Sequence, residues 1–271
     1  DEEVDVVYVS TRNDRHHEAT VAAARTGRPV LCEKPLALSL DDAREMVDAC
    51  EEAGVLLAVN HHFRNAVLHR RLRDRIQAGA IGRPLAVRIF HPVVLPSHLR
   101  TWRLTDAPAG GGVTLDLTVH DADLVRFLTG AEPEHVLAVE LHQGVASGEI
   151  EDGVIATIHM TGGVVVVLHD TFALVHGLSS IEVHGSAGSL LGRDVMNEDR
   201  VGELWLTRNG SEERLSLDGW ENPYELAVTR FREAVAGDGT PTATAADGLR
   251  ALAVALAVRT SAREGRDVAI A

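Results

Sequence analysis

The sequence predicts an α/β protein: a doubly wound parallel sheet that gives way, near residue 62, to a longer unit with a largely antiparallel sheet. Three observations predict it. Apolar runs alternate with helical segments over residues 4–60, the signature of right-handed β-α-β crossovers. The strand ends in that stretch are polar on an otherwise apolar scaffold, as where ligands sit beyond the carboxyl ends of parallel strands. From residue 135 to 217, β-rich runs follow one another at hairpin spacing.

The elements follow in order. Val4–Ser10 is a β-rich apolar run suited to a buried parallel strand. Asp14–Arg25 is Ala-rich and helical, stopped by Gly27 and Pro29. Val30–Cys32 is a second strand. Ser39-x-x-Asp42 is a capping box that opens a helix over Leu40–Ala53, ended by Gly54. Val55–Asn60 is a third strand. The three carboxyl ends read Thr11-Arg12-Asn13, Glu33-Lys34-Pro35 and Asn60-His61-His62. No G-x-G-x-x-G occurs, and the sheet begins at what reads as its fourth strand. The phosphate loop of a dinucleotide site is therefore expected to be absent or to lie upstream.

Beyond residue 62 the spacing predicts a helix over Val67–Ala78, a strand over Pro84–Phe90, a Pro-rich loop, three glycines (Gly110–Gly112) and a helix over Leu115–Leu128. Strands are expected at His135–His142, Val154–Met160, Val164–Phe172, Ser180–His184, Glu203–Thr207 and Glu213–Leu217, with a hairpin turn at Thr161-Gly162-Gly163. Helices over Pro223–Val235 and Ala245–Arg263 close the chain.

Composition excludes several classes. Hydrophobic residues make up 45% and charged residues 24%, which is globular and not disordered. The net charge is −14 with no basic stripe, so nucleic acid is not an expected partner. No apolar run approaches the ~18 residues of a spanning helix, so no membrane association is expected. Two cysteines, Cys32 and Cys50, are too few for a disulfide framework, and a reducing cytoplasm is the expected location. Cys32, inside a buried strand, reads as inert.

The candidate chemistry lies at strand ends and on one helix. Lys34 ends a buried strand and would stand over the ligand crevice; the bland alternative is a solvated loop lysine. Asp116 and His120 are i, i+4 on one helix and share a face, with Asp123 extending the stripe; Leu117, Leu124 and Leu128 form the opposite, core-facing stripe. A carboxylate beside a histidine at a cleft edge is an acid–base arrangement. Its alternative is a helix pair worth a few tenths of a kcal/mol. Asp116, His120 and Asp123, with His16-His17 and His61-His62, are also metal-ligand types, but no H-E-x-x-H spacing occurs and no metal is expected. Thr11, Asn13 and Asp14 either cap a helix or bind a phosphate or ribose. Trp102 is either a core plug or a wall for a sugar, with Arg103 beside it.

Thr-x-Asn-x-x-His (Thr11, Asn13, His16), the strand entering Cys-Glu-Lys-Pro (residues 32–35) and GGGVTLDLTVHDAD (residues 110–123) together resemble the Gfo/Idh/MocA oxidoreductases over essentially the whole chain. The resemblance implies the C-terminal part of a Rossmann parallel sheet (1–62, dinucleotide binding) followed by an α+β domain with a largely antiparallel open sheet (63–271, substrate binding and oligomerisation). It implies hydride transfer between a nicotinamide cofactor, NADP(H) in preference to NAD(H), and a carbonyl or carbinol of a sugar or polyol. Lys34, Asp116 and His120 match the family's catalytic positions. Thr11, Asn13, His16, Glu33, Lys34, Trp102 and Arg103 match positions near the cofactor. In that reading Lys34 stabilises the developing oxyanion, His120 supplies the proton, and Asp116 orients His120 or a substrate hydroxyl. A homo-oligomer through the C-terminal sheet is a further expectation, as is its rival, a truncated relative that binds sugar without catalysis.

Overall fold

The computed structural model describes residues 4–197 and 202–271. Its first unit is a parallel three-stranded sheet of β1 (Val7–Val9), β2 (Val30–Cys32) and β3 (Leu57–Val59). Helices α1 (His16–Arg25) and α2 (Leu40–Glu52) supply its crossovers. Ser39 caps α2, its hydroxyl accepting from the Asp42 amide at 3.1 Å. β2 has the expected bounds, whereas β1 and β3 are shorter than the apolar runs that announce them.

The second unit is a nine-stranded sheet. Helix α3 (Val67–Gln77) leads into β4 (Pro84–Pro92). The Pro-rich loop folds into a single helical turn, α4 (Trp102–Thr105), before α5 (Val119–Thr129). Strands β5 (Pro133–Leu141), β6 (Gly153–Met160), β7 (Val165–Thr171), β8 (Ser180–Gly185), β9 (Ser189–Arg193), β10 (Glu203–Arg208) and β11 (Ser211–Leu215) follow. Helices α6 (Pro223–Ala236) and α7 (Ala245–Glu264) and a short β12 (Val268–Ala269) end the chain. The order is β11-β10-β9-β8-β4-β7-β6-β5-β12. Every neighbouring pair is antiparallel except β4 and β7, which run parallel at the centre. Strands β9 and β12 are not expected from the sequence: Gly192 interrupts the first pattern, and the second has only two residues.

Two packing facts position the site. Helix α7 returns to the first sheet: Ala251, Leu252 and Ala255 are buried with Val59, Leu115 and Val119 in one core cluster. A Cβ on Gly248 would meet a Val59 methyl carbon at 2.5 Å, so glycine lets α7 approach β3 closely. The larger core fills the space between α3, α5 and the nine-stranded sheet, and includes Leu117, Leu124 and Leu128 as expected. On the other face of that sheet Leu137, Val139, Ile155 and Val167 are 41–59% exposed.

The expected Leu115–Leu128 helix is not one regular element. Thr114–Thr118 is a π-helical turn, and the α-helix starts at Val119. Such turns arise where one residue is inserted into the helical repeat, often at functional sites. No described helix is long and apolar enough to cross a membrane.

Candidate active site

Lys34 and Asp116 meet. Lys34 Nζ donates to Asp116 Oδ1 at 2.9 Å and to the Asp116 backbone oxygen at 2.7 Å. The wide π turn carries both acceptors towards the lysine. Arg103 of α4 approaches the same carboxylate, Nε to Oδ1, at 3.5 Å. Burial works against the Asp116 charge, but Lys34 and then Arg103 outweigh it and hold its pKa below the usual value. The Lys34–Pro35 peptide is cis.

His120 lies one turn further on, buried against Phe63 (ring centroids 4.7 Å), His62 (5.0 Å) and His61 (6.2 Å). Burial, then the nearby Lys34 charge, hold its pKa well below 6.5. The direction of that shift favours the neutral imidazole. Its Nδ1 is buried without a hydrogen-bond partner. Asp123 does not extend the site. It forms a two-pronged pair with Arg64, at 2.7 and 2.6 Å, deep between the units.

The strand-end residues form the facing wall. Asn13 donates to the Gly110 carbonyl at 3.3 Å and ties the β1 end to the triple glycine. Arg12 reaches Asp106 at 3.0 Å. Trp102 is half-buried beneath two cations, Arg103 at 4.5 Å and Arg12 at 6.0 Å from the ring centroid. Thr11 is exposed at the rim. Glu33 accepts from Asn60 at 2.7 Å and from the Tyr8 hydroxyl. Burial, then the Glu33 charge, raise the pKa of Tyr8.

His16 sits behind the wall. Its ring is fully buried, with Nδ1 2.8 Å from the Pro35 carbonyl and Nε2 3.1 Å from the Thr11 carbonyl. The side chain thus holds together the two loops that bear Lys34 and Thr11. Cys32 and Cys50 are free, buried thiols with pKa values raised by burial.

One residue escaped the sequence reading. Glu151 is 2% exposed. Its Oε1 accepts from the Thr114 amide at 3.2 Å, and its backbone oxygen accepts from the Val113 amide at 3.1 Å. It fastens the start of the π turn. The only local signal is an acid in the loop before a strand, which is not specific.

The residues present fit a nicotinamide: a lysine tip and a histidine with a partnerless buried nitrogen, at the carboxyl ends of parallel strands. A cleft of about 700 Å³, lined by Arg64, Arg70, Arg73, Phe127 and Arg230 among others, lies away from this chemistry. Arg71 lines it too, and Asp74, Asp218, Glu221 and Glu233 offset all but one of its five arginines.

Comparison with known proteins places this arrangement. Residues 1–61 match the oxidoreductase family with the NAD-binding Rossmann fold, and residues 69–191 match the GFO/IDH/MocA C-terminal domain. The chain belongs to the Gfo/Idh/MocA family of oxidoreductases. It is 49% identical to a 1,5-anhydro-D-fructose reductase of Ensifer adhaerens, over 98% of this chain and 80% of that protein. It is 28% identical to a myo-inositol 2-dehydrogenase of Thermotoga maritima, over 99% of this chain and 80% of the relative. Among solved structures, an aldose–aldose oxidoreductase of Caulobacter crescentus, complexed with glycerol, superposes with a TM-score of 0.90 at 28% identity, covering 98% of this chain and 79% of that one.

Proposed function

We propose that the protein transfers hydride between a nicotinamide cofactor and a sugar-like carbonyl or carbinol, with reduction of 1,5-anhydro-D-fructose by NADPH as the leading reaction. The observation that carries this reading is the Lys34 ammonium, held by Asp116 beside a neutral His120 at the carboxyl ends of the strands. The 49% identity to the Ensifer reductase supports the substrate. The domain division 1–62 and 63–271, a cytoplasmic location and NADP over NAD belong to the same proposal.

The nicotinamide supplies the hydride. Lys34 Nζ donates a hydrogen bond to the substrate oxygen and stabilises the negative charge that builds there, the kind of preorganised contact that dominates many such barriers. Lys34 is also the cation able to pass a proton to that oxygen. A neutral imidazole cannot supply a proton cheaply, so His120 holds a substrate hydroxyl through a hydrogen bond. Asp116 keeps Lys34 aimed, and Arg103 helps keep Asp116 ionised. Trp102, flanked by two arginines, forms the wall of the sugar site, with Thr11, Asn13 and Glu33 on the cofactor side.

The exposed row Leu137, Val139, Ile155 and Val167 lies on three adjacent strands: Val139 is paired with Ile155, and Leu137 and Val167 flank Thr157. This apolar patch supports a homo-oligomer through the open sheet. The testing experiment is steady-state reduction of 1,5-anhydro-D-fructose with NADPH and with NADH, alongside a panel of ketoses and polyols. Turnover of another sugar alone would remove the named substrate. No pyridine-nucleotide turnover with any sugar or polyol would favour the sugar-binding rival.

A further inference from the structure

Behind the π turn the sheet presents a second set of ionisable groups that the proposed chemistry does not use. His91 on β4 and Asp170 on β7 are register partners on the two central parallel strands. Asp121, the first residue after His120, descends onto them from α5. His91 Nδ1 lies 3.0 Å from Asp121 Oδ1, and Thr118 Oγ1 donates to Asp170 Oδ2 at 2.5 Å. Asp121 and Asp170 are 0% exposed and His91 is 1% exposed. One polar atom from each lies within 4.8 Å of the others.

The oxygens left over are informative. Asp121 Oδ2 and Asp170 Oδ1 are buried, and neither meets a donor. Two ionised carboxylates this close, away from water, would repel and each keep an unsatisfied acceptor. One proton removes both problems, because it turns one carboxyl into a donor to the other.

We propose that Asp121 and Asp170 share one proton, and that this buried pair is a positioning device that clamps the helix start carrying Asp116 and His120 to the central strands. The positioning half rests on the reading of Lys34, Asp116 and His120 as the reacting groups; the shared proton does not. The surrounding groups are consistent with it. Burial holds His91 neutral, its pKa lowered to about 4. Lys34 and Asp116, the nearest full charges, are paired with each other. Burial raises Asp121 to about 7 and Asp170 well above the usual value, so the proton stays through neutral pH. No local sequence pattern announces the pair, since the two acids stand 49 positions apart.

The test has a spectroscopic and a kinetic arm. Infrared spectroscopy of the wild type near pH 6 is expected to show the stretching band of a protonated buried carboxyl, shifted in deuterium oxide and fading as pH rises past the pair's titration. Asp121→Asn is expected to remove the band; Asp170→Asn is the second variant should the first not fold. In turnover, the amide of Asp121→Asn donates where the acid did. It is expected to keep kcat near neutral pH within about threefold and to lack the fall in kcat at alkaline pH that loss of the shared proton should cause in the wild type. Asp121→Ala is expected to lose about 10- to 100-fold in kcat with cofactor affinity unchanged, the scale of an ångström-level misplacement. Absence of the band in the wild type, or a stoichiometric divalent metal bound by the three residues, overturns the shared proton. A wild-type kcat and pH profile in Asp121→Ala overturns the positioning role. The band in a protein that turns over no sugar supports the shared proton and overturns the function proposed above.

Discussion

Lys34 Nζ stands 2.9 Å from Asp116 Oδ1 and 2.7 Å from the Asp116 backbone oxygen, across 82 residues of chain. A strand-end turn supplies the lysine and a π-helical turn supplies both acceptors. The ammonium is thereby held by one residue from two directions.

Lys34→Met keeps most of the side-chain length and removes the charge. Its role falls mainly on the transition state, so kcat is expected to drop about 10²- to 10³-fold, with cofactor binding retained. Steady-state kinetics with a parallel fluorescence titration of the cofactor checks this. A variant with near wild-type kcat would take Lys34 out of the mechanism.

His120 is buried and neutral, so the wild-type kcat profile is expected to show no acid limb centred near 6.5. His120→Asn retains a hydrogen-bonding group and is expected to cost less than the 10²- to 10⁴-fold typical of losing a general acid. A limb near 6.5 that disappears in the variant would return the proton-donor role to His120.

Gly112→Ala is expected to damage the site from outside it. The residue has φ +112°, and an added Cβ would lie 2.4–2.5 Å from the Glu151 carboxyl atoms. Glu151 cannot yield without releasing the Thr114 amide at the start of the π turn. The strain should cost about 1–3 kcal/mol and lower kcat along with thermal stability. Unchanged melting and kinetics would show that the Glu151 contact does not matter.

Acid should destabilise the fold early. Burial lowers His62 to about 3 and both His69 and His91 to about 4, and also lowers His16, His61 and His120. The unfolded chain protonates its histidines near 6.5 while the native state does not. Their contribution is therefore complete above about pH 6.5 and is lost as pH falls towards 4, at up to about 1.4 kcal/mol per unit for each histidine. Asp121 and Asp170 have the opposite sign over the same window, because their raised values favour the protonated native state. With His169 and Glu140 included, seven histidines against three acids leave the net loss on the acid side. Urea midpoints at pH 7.5 and 5.5 measure it, and His69→Gln should shrink the difference.

Arg64→Ala leaves the Asp123 carboxylate buried without its two-pronged partner. The expected cost is about 3–5 kcal/mol, and a paired Arg64→Met, Asp123→Leu variant should lose less than the single change. Chemical denaturation of the single and double variants decides it. A loss under about 1 kcal/mol would mean that water reaches the pair as it does on a surface.

The sequence by itself determined what local pattern can determine. Apolar runs broken by Gly27 and Gly54 specify the first β-α-β-α-β unit. Ser39 marks the start of its second helix, and strand-end placement puts Lys34 over the crevice. The i, i+4 spacing singles out Asp116 and His120 before any fold is known. Tertiary structure decided the rest, because the deciding contacts join residues far apart in the chain. Asp116 meets the lysine while Arg64 takes Asp123, and 59 residues separate Arg64 from Asp123. The extra residue accommodated as a π turn reflects Glu151 holding Thr114 while Thr118 is drawn to Asp170, and no periodicity within residues 114–118 encodes either pull. The parallel pairing of β4 with β7 brings His91 beside Asp170 within an otherwise antiparallel sheet. Hairpin spacing specifies neighbours in sequence; burial of the sheet's helix-covered face specifies neighbours in space.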